Sequence, residues 1–118
     1  MVEITVSDLI KVIPKLFIRE NAFNVNANFQ IIATGQTGGE RGIKIMDQTC
    51  EIESGIIENP DYSLIASAED LLKIFFGELD PLKAFMQGKI QFKGRINKAM
   101  ELSDLFTMDR KLIERLIS

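Results

Sequence analysis

The chain opens on a helical pattern. Leu9, Val12, Ile13 and Leu16 recur at the spacing that puts them on one helix face. Thr5 can cap this helix, and Asp8 stands where a side chain can return a hydrogen bond to the cap. Pro14 removes a ladder bond and crowds the preceding turn, so a kink or a split is expected there. The period then changes to two. Val25, Ala27, Phe29, Ile31 and Ala33 alternate with Asn24, Asn26, Asn28 and Gln30, which predicts a strand with one buried and one solvated face. A glycine-rich turn at residues 35–39 leads to a second strand marked by Ile43 and Ile45. Cys50 and Ile52 alternate with Thr49, Glu51 and Glu53 in a third strand. Asn59-Pro60-Asp61 signals a turn, and Tyr62, Leu64 and Ala66 mark a fourth strand.

Helical spacing then returns. Ser67 can cap a helix with Glu69 and Asp70 in its positive first turn, and Leu71, Leu72, Phe75 and Phe76 give it an apolar face that ends at Gly77. Asp80 and Pro81 suit the cap and first position of a short helix over residues 81–87, with Gly88 placed to stop it in a left-handed conformation. Ile90 and Phe92 alternate with Lys89, Gln91 and Lys93 in a strand over residues 89–96. A helix over residues 97–106 carries Ala99, Met100, Leu102, Leu105 and Phe106. The last helix starts at Thr107 or Met108 and shows the stripe Leu112, Ile113, Leu116 and Ile117. Short connections predict antiparallel hairpins through the first four strands, with the fifth returning after a helical crossover. The pattern reads as a single α+β domain over residues 1–118: a five-stranded, mainly antiparallel sheet with helices on one face.

Composition narrows the chemistry. With 118 residues and 46% hydrophobic content the chain can bury a core. No apolar run reaches the ~18 residues of a membrane span. The first residues lack a signal-peptide pattern, the last are not a peroxisomal Ser-Lys-Leu address, and the single cysteine fits a reducing cytoplasm, the expected location. A net charge of −3 argues against a nucleic-acid partner. The absence of histidine removes the usual zinc sites and the Ser-His-Asp and Cys-His arrangements, so neither a metal, a cofactor nor a catalytic residue is expected. Cys50, inside an alternating strand, reads as a small buried hydrophobe.

The remaining features have plain structural readings. The Gly35–Gly42 stretch lies between two strands rather than before a helix, so it reads as a hairpin turn and not a phosphate loop. Glu51 and Glu53 read as a solvated strand face. Lys89, Lys93 and Arg95 read as edge protection, with weak attraction for anionic lipid headgroups as the functional alternative. The large flexible groups of the second half (among them Phe75, Phe85, Met86, Phe92, Met100, Phe106 and Met108) suit either a filled core or an adaptable cavity.

One stretch carries a family resemblance. Ala84-Phe-Met-Gln-Gly-Lys-Ile-Gln-Phe-Lys-Gly94, supported by Ser67-Ala-Glu-Asp-Leu71, Gly77, Asp80-Pro81, Ala99-Met100 and Leu102, resembles the sterol carrier protein-2 family. The chain departs from it at Arg41-Gly42, where many members carry a tryptophan. The resemblance implies a hydrophobic tunnel between helices and sheet and non-enzymatic binding or transfer of a fatty acid, fatty acyl-CoA, sterol-like or isoprenoid lipid. On that reading Phe75, Phe85, Phe92, Ile96, Met100, Phe106, Met108, Leu112 and Leu116 line the tail site, and Gln87 offers a polar contact at one end or caps its own helix. Burying one CH₂ contributes about 0.8 kcal/mol, so ~12 methylenes supply about 10 kcal/mol before immobilisation costs. Micromolar affinity requires only about 8 kcal/mol. The alternative is an accessory subunit of a lipid or quinone pathway enzyme, for which the C-terminal stripe could serve as the docking face. Transient membrane contact and a homodimer are further partner expectations.

Overall fold

The computed structural model describes residues 3–94 and 96–118, with the backbone alone for residues 96–100. The first helix, α1 (Val6–Leu16), forms as its pattern dictates. Thr5 accepts from the Asp8 N–H at 3.1 Å, and the Asp8 carboxylate accepts from the Thr5 N–H at 3.0 Å, which completes a reciprocal cap. Those bonds hold the Asp8 carboxyl below its usual pKa. The helix is not split at Pro14, which stands exposed within a continuous element whose face of Leu9, Val12, Ile13 and Leu16 is buried. Packing of that face outweighs the loss of one backbone bond near the helix end.

The sheet comprises β1 (Ala27–Thr34), β2 (Gly39–Met46), β3 (Thr49–Ser54), β4 (Tyr62–Ser67) and β5 (Gln91–Lys93), in the order β3-β2-β1-β4-β5. β1, β2 and β3 are the expected antiparallel hairpins. The fourth strand departs from expectation: β4 does not pair with β3 but lies parallel to β1, with Tyr62 opposite Phe29. The segment between β3 and β4 crosses the solvent-side face of the sheet and is tied down at both ends. The Gly55 N–H donates to the Glu40 carbonyl at 2.9 Å, and the Asp61 N–H donates to the Asn28 carbonyl at 2.7 Å. Gln30, expected on the solvated face, is buried and holds the same segment. β5 adds antiparallel to β4 as a short edge, and it is shorter than the alternation predicts.

The other helices are α2 (Ala68–Phe75), α3 (Pro81–Met86), α4 (Ile96–Leu105) and α5 (Arg110–Ile117). Ser67 and Asp80 cap α2 and α3 as their sequence positions indicate. Gly77 and Gly88 follow these helices at φ of 76° and 75°. The last helix begins later than expected, because Asp109 rather than Thr107 or Met108 supplies its cap. The segment before it is held in extended pairing with the end of α1. The Ile18 N–H donates to Leu105 at 2.7 Å, and the Thr107 N–H donates to Leu16 at 2.8 Å. Phe106 is thereby driven into the core.

All strands present one face to the helices. Phe29, Ile31, Ile43, Ile45, Tyr62 and Leu64 supply the buried sheet side, and Leu9, Ile13, Leu71, Phe75, Leu102, Leu105 and Ile113 supply the helical side. The architecture is therefore the expected α+β layer, a mostly antiparallel five-stranded sheet covered on one face.

Candidate functional site

The layer between helices and sheet is a connected aromatic assembly. Phe106, delivered by the pairing with α1, lies 5.8 Å from Phe17, 6.1 Å from Phe75 and 6.5 Å from Phe29, ring centre to ring centre. Phe29 stacks on Tyr62 at 5.0 Å with the planes 9° apart, and Tyr62 meets Phe92 at 5.4 Å. Edge-to-face and offset contacts of this kind add to the stabilisation that area burial gives.

The structure brings Phe75 and Phe106 into direct contact, both fully buried. Phe92 is half-buried and joins them through Tyr62 and Phe29. Phe85 on α3 and Met108, Leu112 and Leu116 along the C-terminal segment are half-buried and packed against the same core. The side chains of Ile96 and Met100, like Arg95, lie outside the described residues. Gln87 is exposed at the C-cap of α3, where its backbone N–H donates to the Lys83 carbonyl at 2.9 Å. Of the apolar stripe of α5, Ile113 is fully buried, and Leu112, Leu116 and Ile117 are half-buried with one side packed on the core. α5 is further held by Arg110, which pairs with Glu78 at 3.0 Å and Glu114 at 3.1 Å and lies over the Phe76 ring.

Tyr62, a marker of the fourth strand in the sequence pattern, is the polar group of the assembly. Its hydroxyl is buried with no hydrogen-bond partner among the described residues. Burial, with Glu101 and Asp61 nearby, pushes its pKa well up, so it remains a neutral donor and acceptor. The signal available in the sequence was its place in the inward alternation Tyr62, Leu64, Ala66, the register that buries every second residue.

Nucleophilic chemistry finds little support. Burial and Glu51 push the Cys50 thiol up to about 12, so it stays protonated. Among the described residues no group of three or more His, Cys, Asp or Glu could hold a metal ion, and no helix is long and apolar enough to cross a membrane. Clefts occur at the margins. One of about 1090 Å³ runs along α5, with Ile4, Arg110, Glu114 and Ile117 in its described wall. A second of about 370 Å³ lies on the solvent-side sheet face beside Gly42 and Ile57.

The model of the SCP-2 sterol transfer family matches residues 18–107. Among curated proteins, the hydroxysteroid dehydrogenase-like protein 2 of Rattus norvegicus is 32% identical over 69% of this chain and 16% of its own length. The peroxisomal multifunctional enzyme type 2 of Mus musculus is 31% identical over 71% of this chain and 12% of its own. The chain thus spans about a sixth or less of these relatives. Among solved structures, sterol carrier protein domain 2 of Helicoverpa armigera superposes with a TM-score of 0.63 at 24% identity, covering 92% of this chain and 85% of that one. Palmitated SCP2L2 from Aedes aegypti gives 0.62 at 24%, covering 86% and 93%. The sec-alkylsulfatase Pisa1 from Pseudomonas sp. gives 0.74 at 13%, covering 83% of this chain and 16% of that one. At these identities the structures establish a shared fold.

Proposed function

Because the chain belongs to the SCP-2 sterol transfer family, we propose that it binds or transfers a hydrophobic small molecule, a lipid, without chemical turnover, between the sheet and its helices. The observation that carries this reading is the character of that layer. It is lined by large aromatic and aliphatic side chains contributed by every helix but α3's exposed face, and its polar member is the uncharged Tyr62. A lipid tail entering there exchanges water for apolar contacts at about 0.8 kcal/mol per methylene. Phe75, Phe85, Phe92, Phe106, Met108, Leu112 and Leu116 are the residues that a tail would meet as the helices part from the sheet. Ile96 and Met100 are retained as lining residues on the family resemblance alone. Gln87 is better placed at a mouth than inside, because its side chain faces solvent.

The test is to extract the purified protein with organic solvent and identify co-purified lipid by mass, then to titrate a fluorescent acyl chain. The absence of both a co-purified lipid and any binding at tens of micromolar ends this reading.

A second reading is an accessory role beside a lipid-acting enzyme. It is favoured by one observation: the named relatives are dehydrogenase-like and multifunctional enzymes of which this domain matches a small part. Ile113 of the α5 stripe is buried in the core, which leaves the half-buried Leu112, Leu116 and Ile117 as the part of the stripe open to a partner. Crosslinking in the native cell followed by mass spectrometry separates the two readings. Recovery with one enzyme in constant proportion supports the accessory role, and recovery alone but lipid-loaded supports the first.

A further inference from the structure

We propose that the outer edge of β3 docks an extended segment of a partner protein in which apolar residues alternate with lysine or arginine, adding one more strand to the sheet. The inference concerns the end strand of the sheet and does not depend on what the helical layer binds.

β3 ends the sheet, with β2 on one side of it and no strand on the other. The hairpin decides which of its backbone groups are free. Asp47 and Gln48 form a two-residue turn, both left-handed at φ of 51° and 59°, and Met46 faces Thr49 across it. Residues flanking such a turn exchange hydrogen bonds, and bonded and unbonded pairs then alternate along the strands. Glu51 therefore bonds to Lys44 and Glu53 to Gly42, the residues opposite them. The N–H and C=O groups of Cys50, Ile52 and Ser54 point away from β2. Among the described residues no other backbone group takes them up.

Edges of this kind are usually blunted by lysine, proline, a bulge or short length. The two ends of the sheet differ in this respect. β5 has three residues, ends on Lys93 and follows the exposed Lys89. β3 has six residues, pairs one-to-one with β2, and contains no lysine, arginine or proline.

The side chains of β3 set the pattern of the partner. Cys50 and Ile52 are half-buried towards the helices, so apolar residues laid beside them extend the core. Glu51 and Glu53 are exposed on the opposite face. A cleft of about 370 Å³ lies beside them, with Lys44, Glu53 and Glu58 in its wall and Ile56 63% exposed there. Glu51, Glu53 and Glu58 against Lys44 leave a negative excess that favours a cationic neighbour. A second copy is unsuited to this place through its own β3. Full-length antiparallel pairing would set glutamates of one copy against those of the other, and like charges directly opposite destabilise.

The probe is the fluorescein-labelled peptide Lys-Val-Lys-Val-Lys-Val-amide, read by anisotropy in about 0.15 M salt. It should bind the full chain, whereas the same peptide with glutamate in place of lysine should not. Methylating the valine nitrogens, which face β3 in an antiparallel pair, should weaken it about tenfold and so separates strand addition from charge attraction. Glu51→Gln combined with Glu53→Gln should weaken the lysine peptide about tenfold. Glu51→Lys combined with Glu53→Lys should transfer the preference to the glutamate peptide. Both variants should keep the wild-type acyl-chain titration. Amide hydrogen exchange at Cys50, Ile52 and Ser54 should slow when the lysine peptide is bound. Equal binding of the methylated peptide, or unchanged exchange at these three residues, overturns the inference with the wild type alone, whether or not the variants fold. Preference of the wild type for the glutamate peptide overturns it too. Self-association that disappears in the glutamine variant would assign the edge to a second copy and likewise overturn it. The acyl-chain titration of the wild type decides the lipid-binding reading separately.

Discussion

The side-chain oxygen of Gln30 accepts a hydrogen bond from the backbone N–H of Ile57 at 2.8 Å. The Gln30 amide nitrogen donates to the carbonyls of Gly55 at 3.0 Å and Arg41 at 3.1 Å. One buried amide therefore fastens the segment that crosses from β3 to β4, the step that makes the sheet mixed rather than a plain meander. Gln30→Leu removes the partner of these part-buried backbone groups. It is expected to lower stability by about 2–3 kcal/mol, read from the midpoint shift in urea. A loss below about 0.5 kcal/mol would show that the crossing is held by Ile57 packing alone, which fills the space a side chain at Gly42 would occupy.

Gly94 tests the support of Tyr62 from below. Its φ is 123°, and a Cβ there would also approach the Asp61 carbonyl to 3.1 Å. Gly94→Ala combines backbone strain with a clash against the Cβ of Tyr62 and the Asp61 carbonyl. The expected cost is about 2 kcal/mol or more, with a weakened near-UV tyrosine band. An unchanged melting temperature and an unchanged band would count against this tight fit.

Cys50 should be chemically quiet in the folded protein. Its folded pKa, about 12, lies above the ordinary 9.0, so the thiol binds a proton that the unfolded chain has released between those values. The associated stability is full below pH 9 and is lost as pH rises towards about 12. Iodoacetamide at pH 8 should label the native protein much more slowly than the urea-unfolded chain. Equal rates would show the thiol to be accessible.

Phe75 separates a packing role from a lining role. It is fully buried and meets Phe106 edge-on at 6.1 Å. Phe75→Ala should cost about 3–5 kcal/mol and blur the fold, whereas Phe85→Ala, at a half-buried site, should cost about 1–2 kcal/mol. Lipid titration of Phe85→Ala is thus the cleaner test of tail contact, with a several-fold loss of affinity expected. An unaltered affinity places Phe85 outside the tail site.

Much of the fold is legible because it is local. Asp80, Pro81 and Gly88 fix a helix and its stop through cap bonds and one left-handed residue, all within a few positions of one another. The alternation through Phe29, Ile31, Ile43 and Ile45 identifies the buried sheet face correctly. Gln30 was illegible for a physical reason. A polar residue at an outward position reads as solvated unless another segment covers it, and the covering segment comes from a loop whose path no local pattern describes. The start of α5 was displaced similarly, because long-range pairing with Leu16 holds Thr107 extended. Of the candidate tail residues, Phe75 and Phe106 meet, whereas Gln87 points to water.

The sequence by itself determined most of the elements, the caps of α1, α2 and α3, the inward strand faces and the family, since each depends on periodicity or on neighbouring residues. Tertiary structure alone decided that β4 runs parallel beside β1, that Ile113 of the C-terminal stripe enters the core while its neighbours stay half-buried, and that Tyr62 is buried beside Phe29 with its hydroxyl unpaired among the described residues. These are relations between residues far apart in the chain, and the energy of a buried hydroxyl or amide depends on which distant groups arrive around it.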